Sequence, residues 1–427
     1  MRAAGCRWHR TAALRGGRIV ASTDRHQQGE WVAHFPRHAS WSNATLICKG
    51  MAPYGAVALA EIDRIGTRLR GREGDAAAWR DEWCAMAGHV ERMGDAAAAE
   101  AHDLTAGHYY LRAGNYYYTG ERMVPPGPEK QAIYEKALRC YRAGLARRHP
   151  EIEPVEVPLA DGTSLPAYFM RSPWAAGPAP TVVLFDGLDN CKEMSVLFAG
   201  LEFARRGFHT LAVDGPGQGE AIRLRGIRYR HDYEVPGAAA FDYVAGRGDV
   251  DRSRVAVMGY SFGGYCAPRV ASLDPRYSAC VAFGATYWDM AEWLANKYRI
   301  AGDASRATTS DFQIQWVLGT ASREESFVKM RRFTLDGVVQ RMACPFLVVH
   351  GEDDPLVPID SVRRLHAEAG SADKTLKIFS AEEGGSQHCQ VDDRQAGVDF
   401  IADWLADRWL SREAGSPSDR GKEAMLA

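Results

Sequence analysis

The chain has 427 residues, enough for a large buried core in two domains or one elaborated domain. At 46% hydrophobic and 25% charged it has the composition of a globular enzyme, and 52 basic against 54 acidic side chains leave a net charge of -2, which excludes a global field for holding nucleic acid or an anionic membrane. Nine cysteines without a Cys-x-x-Cys pair argue against a disulfide framework and point to a reducing, cytoplasmic setting, and no apolar run approaches the ~18 residues of a membrane span.

Residues 1–45 are expected as a poorly ordered tail. Arg and Gly interrupt the apolar run that a signal peptide would need. From 46 to 150 the apolar residues return every three or four positions, as in "AVALAEIDRIGTRL", "DAAAWRDEWCAMAGHVERM" and "KQAIYEKALRCYRAGLA", which predicts an all-helical region. Within it, "GHYYLRAGNYYYTGERM" concentrates tyrosines. Helix-on-helix packing is the first account of them, and Tyr109 and Tyr116 are the candidates for a substrate pocket.

Past Pro154 the texture changes to short β-rich runs. "EPVEVPL", "LPAYFMRS", "TVVLFDG", "FHTLAVDG", "SRVAVMG", "SACVAFG", "CPFLVVHG" and "TLKIFS" read as strands. The later ones are continuously apolar, as strands covered on both faces are, so residues 151–410 are expected as a doubly wound, mostly parallel α/β sheet. The interval 286–343 exceeds a single crossover and predicts an inserted cap. Residues 411–427 read as a polar tail.

Chemistry concentrates where these strands end. "RVAVMGYSFGGYCAP" places a Gly-x-Ser-x-Gly between a buried strand and a helix, the context that turns Ser261 into a nucleophile at a strained elbow. A serine hydroxyl needs a histidine to take its proton and a carboxylate to orient that histidine. Both follow in the order acid, then histidine. The turn "HGEDDPLVP" offers Asp354, preferred over Asp353, and the glycine-rich "EEGGSQHCQVDD" offers His388, while His350 within its strand reads as structural. The backbone N–H groups of Phe262 and of Leu188, the latter in "DGLDNCKEM", are the candidate oxyanion donors. In that loop Asp186, Asp189 and Lys192 read as turn and capping residues ahead of substrate contacts. "DGPGQGE" is a tight turn and not a dinucleotide fingerprint. No histidine spacing implies a metal, and no cofactor is expected.

Taken together, "GDAAAWRDEW", "YYLRAGNYYY", "DGLDNCKEM", "VDGPGQGE", "GYSFGGY", "HGEDDPLVP" and "GGSQHCQVDD" resemble one branch of the α/β-hydrolases. It is that of 2,6-dihydroxypseudooxynicotine hydrolase and the fungal polyketide-shortening hydrolases of the yellowish-green type, and the resemblance covers about residues 50–410. It implies a helical N-terminal lid, a homodimer and a cofactor-free serine mechanism that cleaves a carbon–carbon bond next to a carbonyl, or an ester. It also implies Ser261, Asp354 and His388 as the triad, Leu188 and Phe262 as oxyanion positions, and an additional acid for which Glu292 and Asp289 in "TYWDMAEW" are candidates. The aromatic-rich helical segment and Trp288, Trp293 and Tyr298 suggest an aromatic or polyketide-like small-molecule substrate, with Tyr260 at the elbow and Trp288 and Trp293 as further pocket candidates. The competing readings are a carboxylesterase or thioesterase with the same triad, and a non-hydrolytic catalyst or binding protein on a repurposed fold.

Overall fold

The computed structural model describes residues 33–284, 288–300, 303 and 306–410. The tail expected at 411–427, most of the one expected at 1–45, and the first residues of the 286–343 interval lie outside the described residues.

All eight expected strands form. They are β1 (Ile152–Pro158), β2 (Ser164–Met170), β3 (Ala179–Phe185), β4 (His209–Val213), β5 (Val250–Tyr260), β6 (Ala279–Phe283), β7 (Phe346–Gly351) and β8 (Lys374–Phe379), in the order β1-β2-β4-β3-β5-β6-β7-β8. The β1–β2 and β2–β4 pairs are antiparallel and every later pairing is parallel. In β3 every residue is buried, because alternating side chains enter two different cores. Val182 and Leu184 join the core that continues into the N-terminal helices, while Val183 and Phe185 join the core on the opposite face. The helical region is therefore the second layer on one face of the sheet.

That region contains α1 (Ala39–Lys49), α2 (Leu59–Leu69), α3 (Ala76–Ala99), α4 (Asp103–Glu121) and α5 (Pro128–Arg148). Helix α1 begins inside the stretch expected as a tail. The reason is Trp41, which is 1% exposed and stands in a row of ring contacts from Phe35 through Trp41, Trp79 and Trp83 to Tyr116, with centroids 4.9–6.0 Å apart. Helix α3 opens at Asp75, whose side chain accepts from Ala78 N. Pro128 opens α5 at a position where a missing N–H costs nothing.

The helical layer is fastened to the sheet domain by buried charges. Glu121, at the end of α4, pairs with Lys130 of α5 and receives Arg223 Nε and Nη2 at 2.9 and 2.6 Å from the short helix Gly219–Arg223. Between β6 and β7 lie the helices Met290–Ile300, Gln313–Leu318 and Arg323–Met330, in the interval expected as a cap. Among the described residues no helix is long and apolar enough to cross a membrane.

Candidate active site

β5 ends at Tyr260 and the helix Gly263–Leu273 starts three residues later, so Ser261 must turn the chain within one residue. It does so in the left-handed region, at φ 54°. A non-glycine residue held there is strained, and the packing around it supplies the constraint. A Cβ on Gly263 would stand 2.6 Å from the carbonyl oxygen of Phe185, so only glycine lets the turn press onto the end of β3. Ser261 N donates to Phe283 O at 3.1 Å, tying the turn to β6 as well.

The loops after β7 and β8 bring the other two groups to this serine. Ser261 Oγ lies 2.9 Å from His388 Nε2, and His388 Nδ1 lies 2.7 Å from Asp354 Oδ2. The second Asp354 oxygen accepts the backbone N–H groups of Leu356 at 2.8 Å and Val357 at 3.1 Å, so the carboxylate is fixed by its own turn. Asp353 is exposed and engages through its backbone, its N–H donating to Ser386 O at 2.9 Å. The His388 loop is braced by Asp392, which accepts from Ser386 N and Gln387 N at 3.1 and 3.0 Å. Burial disfavours a charged His388, but the Asp354 carboxylate outweighs it and raises the imidazole well above its ordinary range. Buried His350, 3.7 Å from the same carboxylate, is held below the ordinary range by burial.

The loop after β3 closes against Ser261 from the other side. A Cβ on Gly187 would stand 2.6 Å from Ser261 Cβ, which brings the Leu188 backbone beside the serine. Asp186 is fully buried, accepts from Ser195, and burial followed by the nearby Asp214 raises its carboxyl well above the carboxylate range. Lys192 is buried in a cluster with Asp214 at 3.0 Å, Glu220 at 2.9 Å and Glu193 at 2.7 Å. Asp186 and Lys192 thus brace the loop, whereas Asp189 lines the cavity in front of Ser261.

That cavity has a volume of about 350 Å³. Its lining is apolar at Leu188, Trp288, Trp293 and the Pro355–Pro358 turn and polar at Asp189, Asn296, Lys297, Thr308, Thr309 and Asp311. Asp289 and Glu292 both line it, but Asp289 Oδ1 accepts Ala291 N at 2.8 Å and Glu292 N at 3.2 Å, capping the cap helix. Lys297, which sequence reasoning missed, donates to the Thr309 hydroxyl, and burial holds its ammonium below the ordinary lysine range.

Three pocket candidates are displaced. Tyr116 is buried between helices, its hydroxyl donating to Glu61 at 2.7 Å and accepting from Ala58 N at 2.9 Å. Tyr109 packs on the helical core under the Arg112 guanidinium, 4.8 Å from its ring. Tyr260 is buried behind the elbow, edge-to-face with Phe198 and 3.3 Å from Ser195 Oγ. Apolar area and a polar tip are needed equally in a helix interface and in a pocket, and here the interface took them. Among the described residues no group of His, Cys, Asp and Glu side chains is arranged to hold a metal ion.

The chain is 28% identical over 374 residues to 2,6-dihydropseudooxynicotine hydrolase of Paenarthrobacter nicotinovorans, covering 84% of this chain and 91% of that protein. It is 27% identical over 380 residues to hydrolase LUC6 of a Fusarium species, covering 80% and 90%. To 20-hydroxy-prefusarin hydrolase FUS2 of Gibberella moniliformis it is 25% identical over 380 residues, again covering 80% and 90%. The crystal structure of the 2,6-dihydroxy-pseudo-oxynicotine hydrolase superposes with a TM-score of 0.68 at 24% identity, over 86% of this chain and 98% of that one, a likeness of fold. Residues 63–409 match the FrsA-like esterase family, and with relatives of this kind along most of its length the chain belongs to that family, as a hydrolase of the α/β-hydrolase fold.

Proposed function

We propose that the protein is a serine hydrolase that cleaves a carbon–carbon bond next to a carbonyl in an aromatic or polyketide-like small molecule. The observation that carries this is the continuous hydrogen-bonded line from Ser261 through His388 to Asp354, with Ser261 facing a cavity walled by Trp288 and Trp293. His388 Nε2 takes the Ser261 proton as Oγ attacks the carbonyl, and the oxyanion rests on the N–H groups of Leu188 and Phe262. Collapse breaks the bond to the leaving group, which takes the proton from the imidazolium. Water, deprotonated by His388, then releases the acyl group as a carboxylic acid and restores Ser261.

A carbon leaving group departs as an enolate or an electron-rich aromatic carbon and gains from a second acid. Asp289 is engaged in capping, so Glu292 takes that role of the two. The names of the relatives, which include a pseudooxynicotine hydrolase and a prefusarin hydrolase, support this reading. Membership of an esterase family favours a second one, in which an alkoxide leaves from an ester and needs no further acid.

The test is intact-protein mass after fluorophosphonate treatment, wild type beside Ser261→Ala, followed by a panel of β-diketones and p-nitrophenyl esters. A single adduct lost in the variant, with turnover of the β-diketones, is the expected result. Turnover of esters alone selects the second reading. Folded wild type that takes no adduct overturns both in favour of a repurposed pocket. The homodimer and the cytoplasmic setting belong to this proposal too, and light scattering on the purified chain decides the first.

A further inference from the structure

The loop after β3 is held at both ends, but by different parts of the molecule. Upstream, the sheet domain holds it unaided: Ser195 donates to the Asp186 carboxyl, Gln218 donates to the Asp186 carbonyl, and Gly187 lies against Ser261. Downstream of Gly187, the next two carbonyls are held by elements outside the sheet. Gln313 Nε2, in the cap helix Gln313–Leu318, donates to Leu188 O at 3.0 Å. Tyr118, in α4 of the helical layer, donates its hydroxyl to Asp189 O, also at 3.0 Å. Gln313 is 5% exposed and Tyr118 1% exposed, so both donors are buried side chains.

We propose that Gln313 and Tyr118 are positioning residues for the oxyanion donor at Leu188, one reaching in from the cap and the other from the helical layer, so that the hole is complete only while both are docked. The proposal rests on the serine-hydrolase reading. Its physical basis is local. Gly187 has no side chain to restrict its two dihedrals, so the peptide plane that carries the Leu188 N–H is soft on its upstream side. The bonds to Leu188 O and Asp189 O fix the next two peptide planes and restrain that N–H from its downstream side. An oxyanion donor works through preorganisation, stabilising developing charge because it need not reorient when the charge appears. The competing account is that both bonds only satisfy buried carbonyls. On that account their loss would weaken docking and stability without singling out the transition state.

Tyr118→Phe and Gln313→Met each remove one donor at nearly constant volume and can be made singly and together in the full chain. Five quantities separate the accounts: kcat and KM on p-nitrophenyl butyrate, the affinity of a trifluoromethyl ketone whose adduct with Ser261 places an oxyanion in the hole, the affinity of the matching secondary alcohol, and Tm. Each variant is expected to lose about ten-fold in kcat, below the 10²- to 10³-fold loss for outright removal of a donor. KM and alcohol affinity should hold within about two-fold, while ketone affinity falls in step with kcat, because only the adduct carries the charge. If kcat and ketone affinity are unchanged in folded variants, or if both affinities, kcat and Tm fall together, the proposal is overturned. Gln313→Leu repeats the test should Gln313→Met fail to fold, and Tyr118→Met should Tyr118→Phe. Wild type that the ketone does not inhibit, with activity surviving in Ser261→Ala, overturns the serine-hydrolase reading and this proposal with it, an outcome distinct from the others.

Discussion

Asp354 Oδ2 faces two imidazoles at once, His388 Nδ1 at 2.7 Å and His350 Nδ1 at 3.7 Å, and the two are pushed in opposite directions. Burial acts against charge on both, and the Asp354 carboxylate wins only at His388, where the contact is a hydrogen bond. In the proposed mechanism His388 must be neutral to accept the Ser261 proton. A raised pKa keeps it protonated to higher pH, so activity should fall as pH drops, along a limb centred above the ordinary imidazole value of about 6.5. A kcat/KM profile from acid to alkaline pH checks this, and a limb at or below that value contradicts it.

Replacing Asp354 by Asn should cost far more than replacing its neighbour. Asp354→Asn keeps the shape but presents an amide to His388 Nδ1 and favours the wrong tautomer, for which the expected loss in kcat is about 10⁴-fold by analogy with serine proteases. The acid limb should also move down, because the charge that raises it is gone. Asp353→Asn changes an exposed side chain and should leave kcat and stability nearly unaltered, the latter within about 0.5 kcal/mol. Steady-state kinetics on the two variants side by side makes the comparison.

The strands and the elbow were readable because their constraints are local. A strand buried on both faces has to be apolar throughout, and a serine at a strand-to-helix turn has to be flanked by small residues, so "RVAVMGYSFGGY" announces both. What could not be read depends on distant partners. Trp41 looks like one aromatic in a polar leader until Trp79 is beside it, 4.9 Å away. Nothing in "SDFQIQW" marks Gln313 as the residue that reaches Leu188, 125 positions away in the chain. Tyr116 and Tyr118 stand two residues apart in one helix and serve different ends, one bonded to Glu61 and the other to the loop beside Ser261.

Among the described residues Glu121 is the single carboxylate paired with Lys130 and Arg223, and all three side chains are at most 3% exposed. Burial alone would raise the Glu121 pKa, but the two cations override it and hold the carboxyl below its ordinary range, while burial pulls Lys130 down to about 8. Glu121→Gln leaves two buried cations without their counter-charge and should destabilise the protein by about 3–5 kcal/mol, read by urea denaturation. The sign with pH follows from the depressed carboxyl. Its contribution is present above the unfolded carboxylate pKa and is lost as pH falls through the lower folded value, so the variant and wild type should converge in stability at acid pH.

Gly187 tests whether the close approach of its loop to Ser261 matters to catalysis. The Cβ of an alanine there would stand 2.6 Å from Ser261 Cβ and 3.1 Å from Ser261 Oγ, closer than real Cβ atoms come to backbone-anchored carbon. Ser261 cannot yield, because its left-handed backbone is fixed by bonds from its N–H to Phe283 and from Gly264 N–H to its carbonyl. The loop must therefore retreat, and the Leu188 N–H retreats with it. A displacement of about 1 Å is enough to cost on the order of 10²-fold in rate. Gly187→Ala should lose at least that in kcat while Tm changes little. Gly177→Ala, where a Cβ meets nothing within 4 Å, should retain full activity and serves as the control. A Gly187→Ala protein that is as active as the control would mean that the retreat of the loop leaves the reaction untouched, and would remove Leu188 from the oxyanion hole.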